Sequence, residues 1–201
     1  MHLRIIPAAL LLTALLCACA AAPDEGQRTL DLRAAFLAAP GCSGQMDLVA
    51  DYGERVYEYS AAFETDGEGT LSIALTAPEE VAGITATVAQ GQTALHFDGL
   101  RLETGPLDPT GLSPLDALPA LMEAMRSGYI AETGLEGDGE SALLRICCRT
   151  PDQAPGTGRE TVLWFDAGDA LVSAELRQDG RTVVRCTFTG FALAPSAQDV
   201  R

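Results

Sequence analysis

Chemistry in a protein needs nucleophiles, acid–base groups or metal ligands at workable spacing. This chain has few of the sharpest kinds, with six cysteines and two histidines in 201 residues. His2 falls in the N-terminal leader and His96 alternates onto the polar side of a strand, so neither has a partner from which a general base or a metal site could be built. No Cys-x-x-Cys, His-x-x-x-His or Gly-x-Ser-x-Gly occurs, which removes the common signatures of zinc, dithiol and serine-hydrolase chemistry. Acids cluster at Asp66-Gly67-Glu68, at Glu79-Glu80 and from Glu136 to Glu140, each among turn residues. Carboxylates that act as an acid–base pair need a cleft that drives their pKa values apart, and the third cluster lacks the spaced ligands of a calcium loop. Gly156-Thr157-Gly158 precedes a strand, whereas a phosphate cradle opens a helix. The sequence therefore predicts no catalytic residue, metal or cofactor.

Four thiols, Cys42, Cys147, Cys148 and Cys186, lie in the body of the chain. A period of two puts Cys148 on one strand face with Leu144 and Ile146, and Cys147 on the other with Arg145 and Arg149. Cys186 shares its face with Val184 and Phe188. The leading expectation is free buried thiols, with Cys148–Cys186 as the favoured pairing if a disulfide forms, and Cys147 between its two arginines is a candidate for a lowered pKa.

Cys19 belongs to a different chemistry. Arg4, the apolar run from Ile5 to Leu16 and the small residues after it form a positive n-region, an h-region and a cleavage zone. The run is too short to span a bilayer. Leu16-Cys17-Ala18-Cys19 fits the bacterial lipobox and resembles lipoprotein precursors, with residues 1–18 as signal peptide and Cys19 as the lipidated first residue. Cys17 fits poorly as acceptor because Leu15 and Leu16 would flank the cut. The alternative is plain secretion with cleavage near Ala18 to Ala22. Lipidation implies a diacylglyceryl anchor with palmitate-type chains and a location on the extracytoplasmic side of the cell membrane.

Residues 19–26 are small and polar and read as a tether. Residues 27–201 are enough for one domain with a sizeable core. Acidic residues outnumber basic ones 28 to 13, every basic residue is an arginine, and the net charge is -15. Without a basic stripe the chain has no electrostatic footprint for nucleic acid. An acidic body is also repelled by an anionic bilayer beyond any anchor.

The elements that must position any site follow from periodicity. Gln27 to Ala39 carries Leu30, Ala34, Phe36 and Leu37 near helical spacing and stops at Pro40-Gly41, which predicts a short amphipathic helix. From Met46 the period becomes two. Tyr57, Tyr59, Ala61 and Phe63 alternate with polar residues, as do Leu71, Ile73 and Leu75, then Ile84, Ala86 and Val88. After a turn at Gly91-Gln92, Leu95 and Phe97 face inward, and Leu100 and Leu102 follow the Asp98-Gly99 turn. A Gly- and Pro-rich break from Thr104 to Leu112 leads to a helix start at Ser113-Pro114. Pro119 predicts either a kink or a short turn before a helix from Leu118 to Ser127, with Leu118, Leu121, Met122 and Met125 as its apolar stripe. Five more strands follow, from Tyr129 to Leu193. Consecutive strands joined by short turns predict a mostly β (α+β) fold: a curled antiparallel sheet, or half-barrel, of about ten strands with helices on its concave face.

The lipobox, the short helix, the paired strands Tyr57 to Phe63 and Leu71 to Leu75, the segment Thr76 to Gly83 and the hairpin Phe97-Asp98-Gly99-Leu100 resemble bacterial envelope lipoproteins with a LolA-like half-barrel, of the clostridial, GerS-like type that includes a germination lipoprotein. The likeness spans Phe36 to Leu193 and is one of pattern, with no catalytic motif. It implies a helix-plugged half-barrel that either holds acyl chains in its concavity or binds another envelope protein. Two non-catalytic roles follow: a membrane-anchored partner-binding module, or an acyl-chain binder. The second names Tyr57, Tyr59, Phe63, Leu71, Ile73, Leu75, Leu95, Phe97, Leu118, Met122 and Met125 as candidate cavity lining, against the alternative that they fill the core.

Overall fold

The computed structural model describes residues 24–66, 68–106 and 112–195. The expected signal peptide and Cys19 lie outside the described residues. Helix α1 (Glu25–Ala38) is followed by strands β1 (Cys42–Asp51), β2 (Val56–Thr65), β3 (Leu71–Ala77), β4 (Thr85–Ala89), β5 (Gln92–Phe97) and β6 (Leu100–Pro106). Helix α2 (Ala117–Ser127) then leads into β7 (Ile130–Glu136), β8 (Leu143–Arg149), β9 (Arg159–Phe165), β10 (Leu171–Gln178) and β11 (Arg181–Leu193). All eleven strands form one antiparallel sheet in the order β6-β5-β4-β3-β2-β1-β11-β10-β9-β8-β7. It is two meanders joined where β1 pairs with β11. The sheet is unclosed, and it is the half-barrel that the resemblance implies.

Local chemistry explains the turns. Asp98-Gly99 and Asp179-Gly180 both take positive φ at the two central positions, as does Gln90-Gly91, one residue earlier than the spacing predicts. That is the type I′ geometry whose twist matches flanking strands. Between β9 and β10 the Asp166 carboxylate accepts from the amides of Gly168 and Ala170 at 2.9 and 3.0 Å, pinning the bend with a side chain.

The core lies between the concave face and the two helices. Met46, Leu48 and Ala50 of β1, Ala61 and Phe63 of β2, Leu144 and Ile146 of β8 and Leu163 and Phe165 of β9 meet Leu32 and Phe36 of α1 and Leu118, Leu121 and Met125 of α2. Pro119 produces no kink. It occupies the first turn of α2, where an amide would have no intrahelical partner, and Ser113 to Asp116 form a separate turn closed by the Asp116 amide on the Ser113 carbonyl. At the far end of β11 an extra residue bulges out against β1, between the pairs Ser43–Ala192 and Gln45–Thr189. The bulge changes strand parity, so both Phe188 and Phe191 turn inward onto Phe63. A side chain at Gly44 would meet the Phe63 ring at 3.0 Å, which is why the opposing position has none.

Helix α1 is rotated relative to its expected stripe. Thr29, Leu32 and Phe36 are its buried residues, while Leu30 and Leu37 are 58% and 61% exposed. The inward threonine is tolerated because its hydroxyl bonds the Glu25 carbonyl at 2.8 Å and the Thr133 hydroxyl of β7 at 2.7 Å. The two helices also cap each other. Arg33 of α1 donates to the carbonyls of Met125, Ala124 and Gly128 at the C-terminus of α2, and Arg126 of α2 donates to those of Phe36 and Ala39 at the C-terminus of α1.

The four described cysteines are all free and buried, and the candidate Cys148–Cys186 bond is not formed. Cys148 is on β8 and Cys186 on β11, with β9 and β10 between them. Three strand spacings amount to roughly 14 Å along the sheet, twice the reach of a disulfide. Sharing a face was correct for these two; being neighbours was not. Burial pushes the Cys148 thiol up to about 11 and the Cys186 thiol up to about 12. Cys147 also departs from expectation, because burial and then the nearby Glu160 carboxylate raise its pKa despite Arg145 and Arg149.

Those arginines serve the convex wall. Glu132 takes Arg149 at 2.6 Å and Arg145 at 3.3 Å, while the buried Glu175 takes Arg177 at 2.5 Å, Arg185 at 2.8 Å and the Thr182 hydroxyl at 3.0 Å. The Arg149 hydrogen bond, ahead of an opposing effect of burial, holds the Glu132 carboxyl below the usual range. For Glu175, burial pushes the pKa up, but the bonds from Arg177, Arg185 and Thr182 together outweigh it and lower the value. Groups depressed in the folded state contribute stability above the unfolded pKa of about 4.3 and lose it as pH falls through the lower folded value. Urea unfolding is therefore expected to show a loss of stability below about pH 4.3, and that loss should be smaller in the Glu132→Gln/Glu175→Gln double variant. An unchanged slope would show that these pairs carry none of the pH dependence.

Candidate functional site

The concave face is filled on one side and open on the other. Against α2 the packing is tight, and Leu118 and Met125 are completely buried. Toward β3, β4 and β5 no helix among the described residues covers the sheet. An apolar cleft of ≈ 320 Å³ opens there, lined by Met46, Leu48, Tyr59, Ala61, Ile73, Leu75, Val81, Ile84, Leu95, Ser113, Pro114 and Leu115. Its floor is strand: Leu75 opposes Ala61 across β2–β3, and Ala86 opposes both Ile73 and Leu95. The turn at Val81 forms one wall and the segment before α2 forms the other.

The eleven candidate lining residues divide accordingly. Tyr59, Ile73, Leu75 and Leu95 line this cleft. Tyr57 stacks on Tyr59 at 6.3 Å and continues the aromatic run toward Tyr52. Leu71 and Met122 belong to a separate recess of ≈ 220 Å³ at the opposite end of the concavity, beside Arg126 and Cys42. Phe63, Leu118 and Met125 are core. Phe97, expected inside, is 52% exposed, and Leu100 and Leu102 of β6 are 74% and 62% exposed. Cross-strand pairs Phe97–Leu100 and Leu95–Leu102 keep all three on the concave side, so the cleft runs out over bare apolar surface to the sheet edge.

Sequence reasoning missed as lining Met46, Leu48 and Ala61 on the floor, Val81 and Ile84 about the β3–β4 turn, and the residues from Ser113 to Leu115. Only the apolar character of Leu115 and Pro114 next to the α2 stripe could have marked the latter as a wall. A larger recess of ≈ 390 Å³ lies at the C-terminal end of α2, but its lining of Glu123, Arg149, Arg159 and Thr161 is mixed and polar. Glu79 and Glu80 lie in the β3–β4 turn, Asp66 follows β2, and Glu136 is the last residue of β7. Asp66 accepts from the amides of Glu68 and Thr70, and Glu136 accepts from the Trp164 indole. Among the described residues no three His, Cys, Asp or Glu side chains gather to hold a metal ion. His96 bonds the Thr87 hydroxyl at 3.2 Å.

No family model and no curated protein matches the chain. Some solved structures are similar to it in part. An uncharacterized conserved protein from Thermus thermophilus is 11% identical, with 89% of this chain and 94% of that one covered at a TM-score of 0.48. LprF from Mycobacterium bovis is 17% identical, covering 88% and 96% at 0.46. A LolA superfamily protein from Nitrosomonas europaea is 10% identical, covering 88% and 97% at 0.41. With TM-scores below 0.5 these are likenesses of shape, and the reading of the site rests on its own geometry.

Proposed function

We propose that this protein is a non-catalytic module of the bacterial envelope, anchored through Cys19 on the extracytoplasmic side of the membrane, that holds a single acyl chain in the open side of its half-barrel. The observation that supports this most is the cleft between β1–β5 and the segment 113–115, whose lining is almost wholly apolar and which continues over Phe97, Leu100 and Leu102. Protein interiors pack to crystal density by default, so an apolar hollow with an apolar approach calls for an apolar occupant. Its volume is at the lower end for small-molecule sites, and nothing in its lining offers an acid–base pair or a nucleophile.

The test is a titration of the purified chain with a fluorescent fatty-acid analogue, displaced by unlabelled palmitate. Saturable binding is expected, and Leu95→Glu should weaken it by about tenfold or more, because a carboxylate in the cleft wall must either be desolvated or hold water there. Leu30→Glu, on the exposed side of α1, should leave the affinity unchanged. A folded chain that binds no analogue, or binds it equally well with Leu95→Glu, would discard the acyl reading.

A second reading, capture of another envelope protein, is favoured by the bare stripe of Leu30, Ala34 and Leu37 on α1. It gives the opposite pattern: partner capture lost with Leu30→Glu and retained with Leu95→Glu.

A further inference from the structure

Among the described residues, strand β6 ends the sheet with no strand beyond it, and Leu100 to Thr104 are all exposed. A free edge with apolar side chains is a template for another strand, and proteins usually blunt it with charged side chains, proline, bulges or cover; the bulge of β6 falls at Thr104, past the stretch from Leu100 to Glu103. Here the charges are of both signs and evenly placed, with Arg101 and Glu103 flanking Leu102 on the convex side, where they pair with each other at 2.7 Å.

We infer that β6 pairs antiparallel with β6 of a second copy of this chain, about a two-fold axis through Leu102. Three requirements select that register. Directly opposed residues point to the same side, so only even shifts bring the two apolar concave faces together. Among these, pairing Leu100 with Leu102 sets Arg101 against Arg101, and pairing Thr104 with Leu102 sets Glu103 against Glu103; like charges directly opposed are destabilising. The register between them sets Arg101 against Glu103 twice and Leu102 against Leu102. The ladder spans Leu100 to Thr104 of each copy and ends where the partner strand would run into the Asp98-Gly99 turn. The contact is isologous and closes on itself as a dimer. It buries the most exposed apolar side chains of the edge and sets the two clefts side by side on one continuous surface. The inference stands on the edge strand alone and holds whether or not the clefts take acyl chains.

The experiment uses the full chain in detergent. Leu102→Cys places two thiols opposite each other at a Cα separation of about 4.5–5.5 Å, within disulfide reach. Mild oxidation should yield a reducible species of twice the 21.0 kDa monomer mass, well above the yields from the unaltered chain and from Leu135→Cys on the opposite edge. By sedimentation, Arg101→Glu should weaken dimerisation by about tenfold, and adding Glu103→Arg should restore it by re-creating the opposed pairs. Circular dichroism confirms folding of each variant. A chain that sediments as a monomer, a Leu102→Cys yield no higher than the controls, or a double variant no better than Arg101→Glu would each overturn the inference, the last two pointing to a different occupant of the edge.

Discussion

Replacing Phe36 with alanine is expected to cost about 3–5 kcal/mol of stability, the range for emptying a fully enclosed aromatic site. Phe36 is 1% exposed. Its ring stands edge-on to Phe165 at 6.0 Å and is stacked on Phe191 at 5.9 Å, so one side chain of α1 grips strands on both sides of β10. The bulge in β11 turns Phe191 inward to complete this cluster, and relaxation cannot refill the hole from two rings held on separate strands. For a domain of this size the midpoint of thermal unfolding should fall by about 2–4 °C for each kcal/mol. Phe36→Leu, which keeps most of the volume, should cost less than half as much. Calorimetry decides the matter, and a loss below about 1 kcal/mol would mean that α1 contributes little to the fold. Hydrogen exchange should then find α1 amides opening independently of the sheet.

The second large effect is expected at Arg33. Its guanidinium donates to three carbonyls at the C-terminal end of α2, the negative pole of the helix, one of which, Ala124, also accepts from the Gly128 amide. Gly128 closes the same helix end so tightly that a Cβ there would lie 2.6 Å from the Ala124 carbonyl oxygen, leaving no room for another capping side chain. Arg33→Met keeps the aliphatic stem and removes the donors, and should cost about 2–3 kcal/mol, the scale of hydrogen bonds to a charged group. Arg126→Met should cost less, since its bonds to α1 are 3.1 and 3.4 Å long. Both arginines secure the same helix–helix junction, so the double variant should lose less than the sum of the two. Full additivity in urea titrations would show that the two caps act independently.

How legible these features are in the sequence depends on the range of the interactions behind them. The hairpins at Asp98-Gly99 and Asp179-Gly180, the alternation through Leu71, Ile73 and Leu75 and the stripe of α2 are local patterns, and they appear where periodicity places them. Helix α1 shows where periodicity fails. Leu30, Ala34 and Leu37 make the more apolar stripe, yet Thr29, Leu32 and Phe36 face inward, because the tertiary bonds of Thr29 to Thr133 and of Arg33 to α2 fix the rotation. The cleft was legible only in its floor. Strand parity located Tyr59, Ile73, Leu75 and Leu95, but whether a concavity is filled depends on how far α2 reaches across it, which no period in the chain encodes. Parity is blind to distance in the same way for the candidate Cys148–Cys186 pair, since it gives the side of a sheet and not the number of strands between two residues.

The seam between β1 and β11 joins residues near opposite ends of the chain, with Leu48 set against Cys186. Contacts of such long sequence separation are slow to form, because the entropy of closing the loop is lost before any pairing offsets it. During synthesis the first meander can assemble early, yet the halves stay unjoined until the stretch from Arg181 onward has emerged. A ribosome stalled short of that point would hold two half-sheets with their innermost edges bare, so the last strand made is the one that commits the polypeptide to its native state.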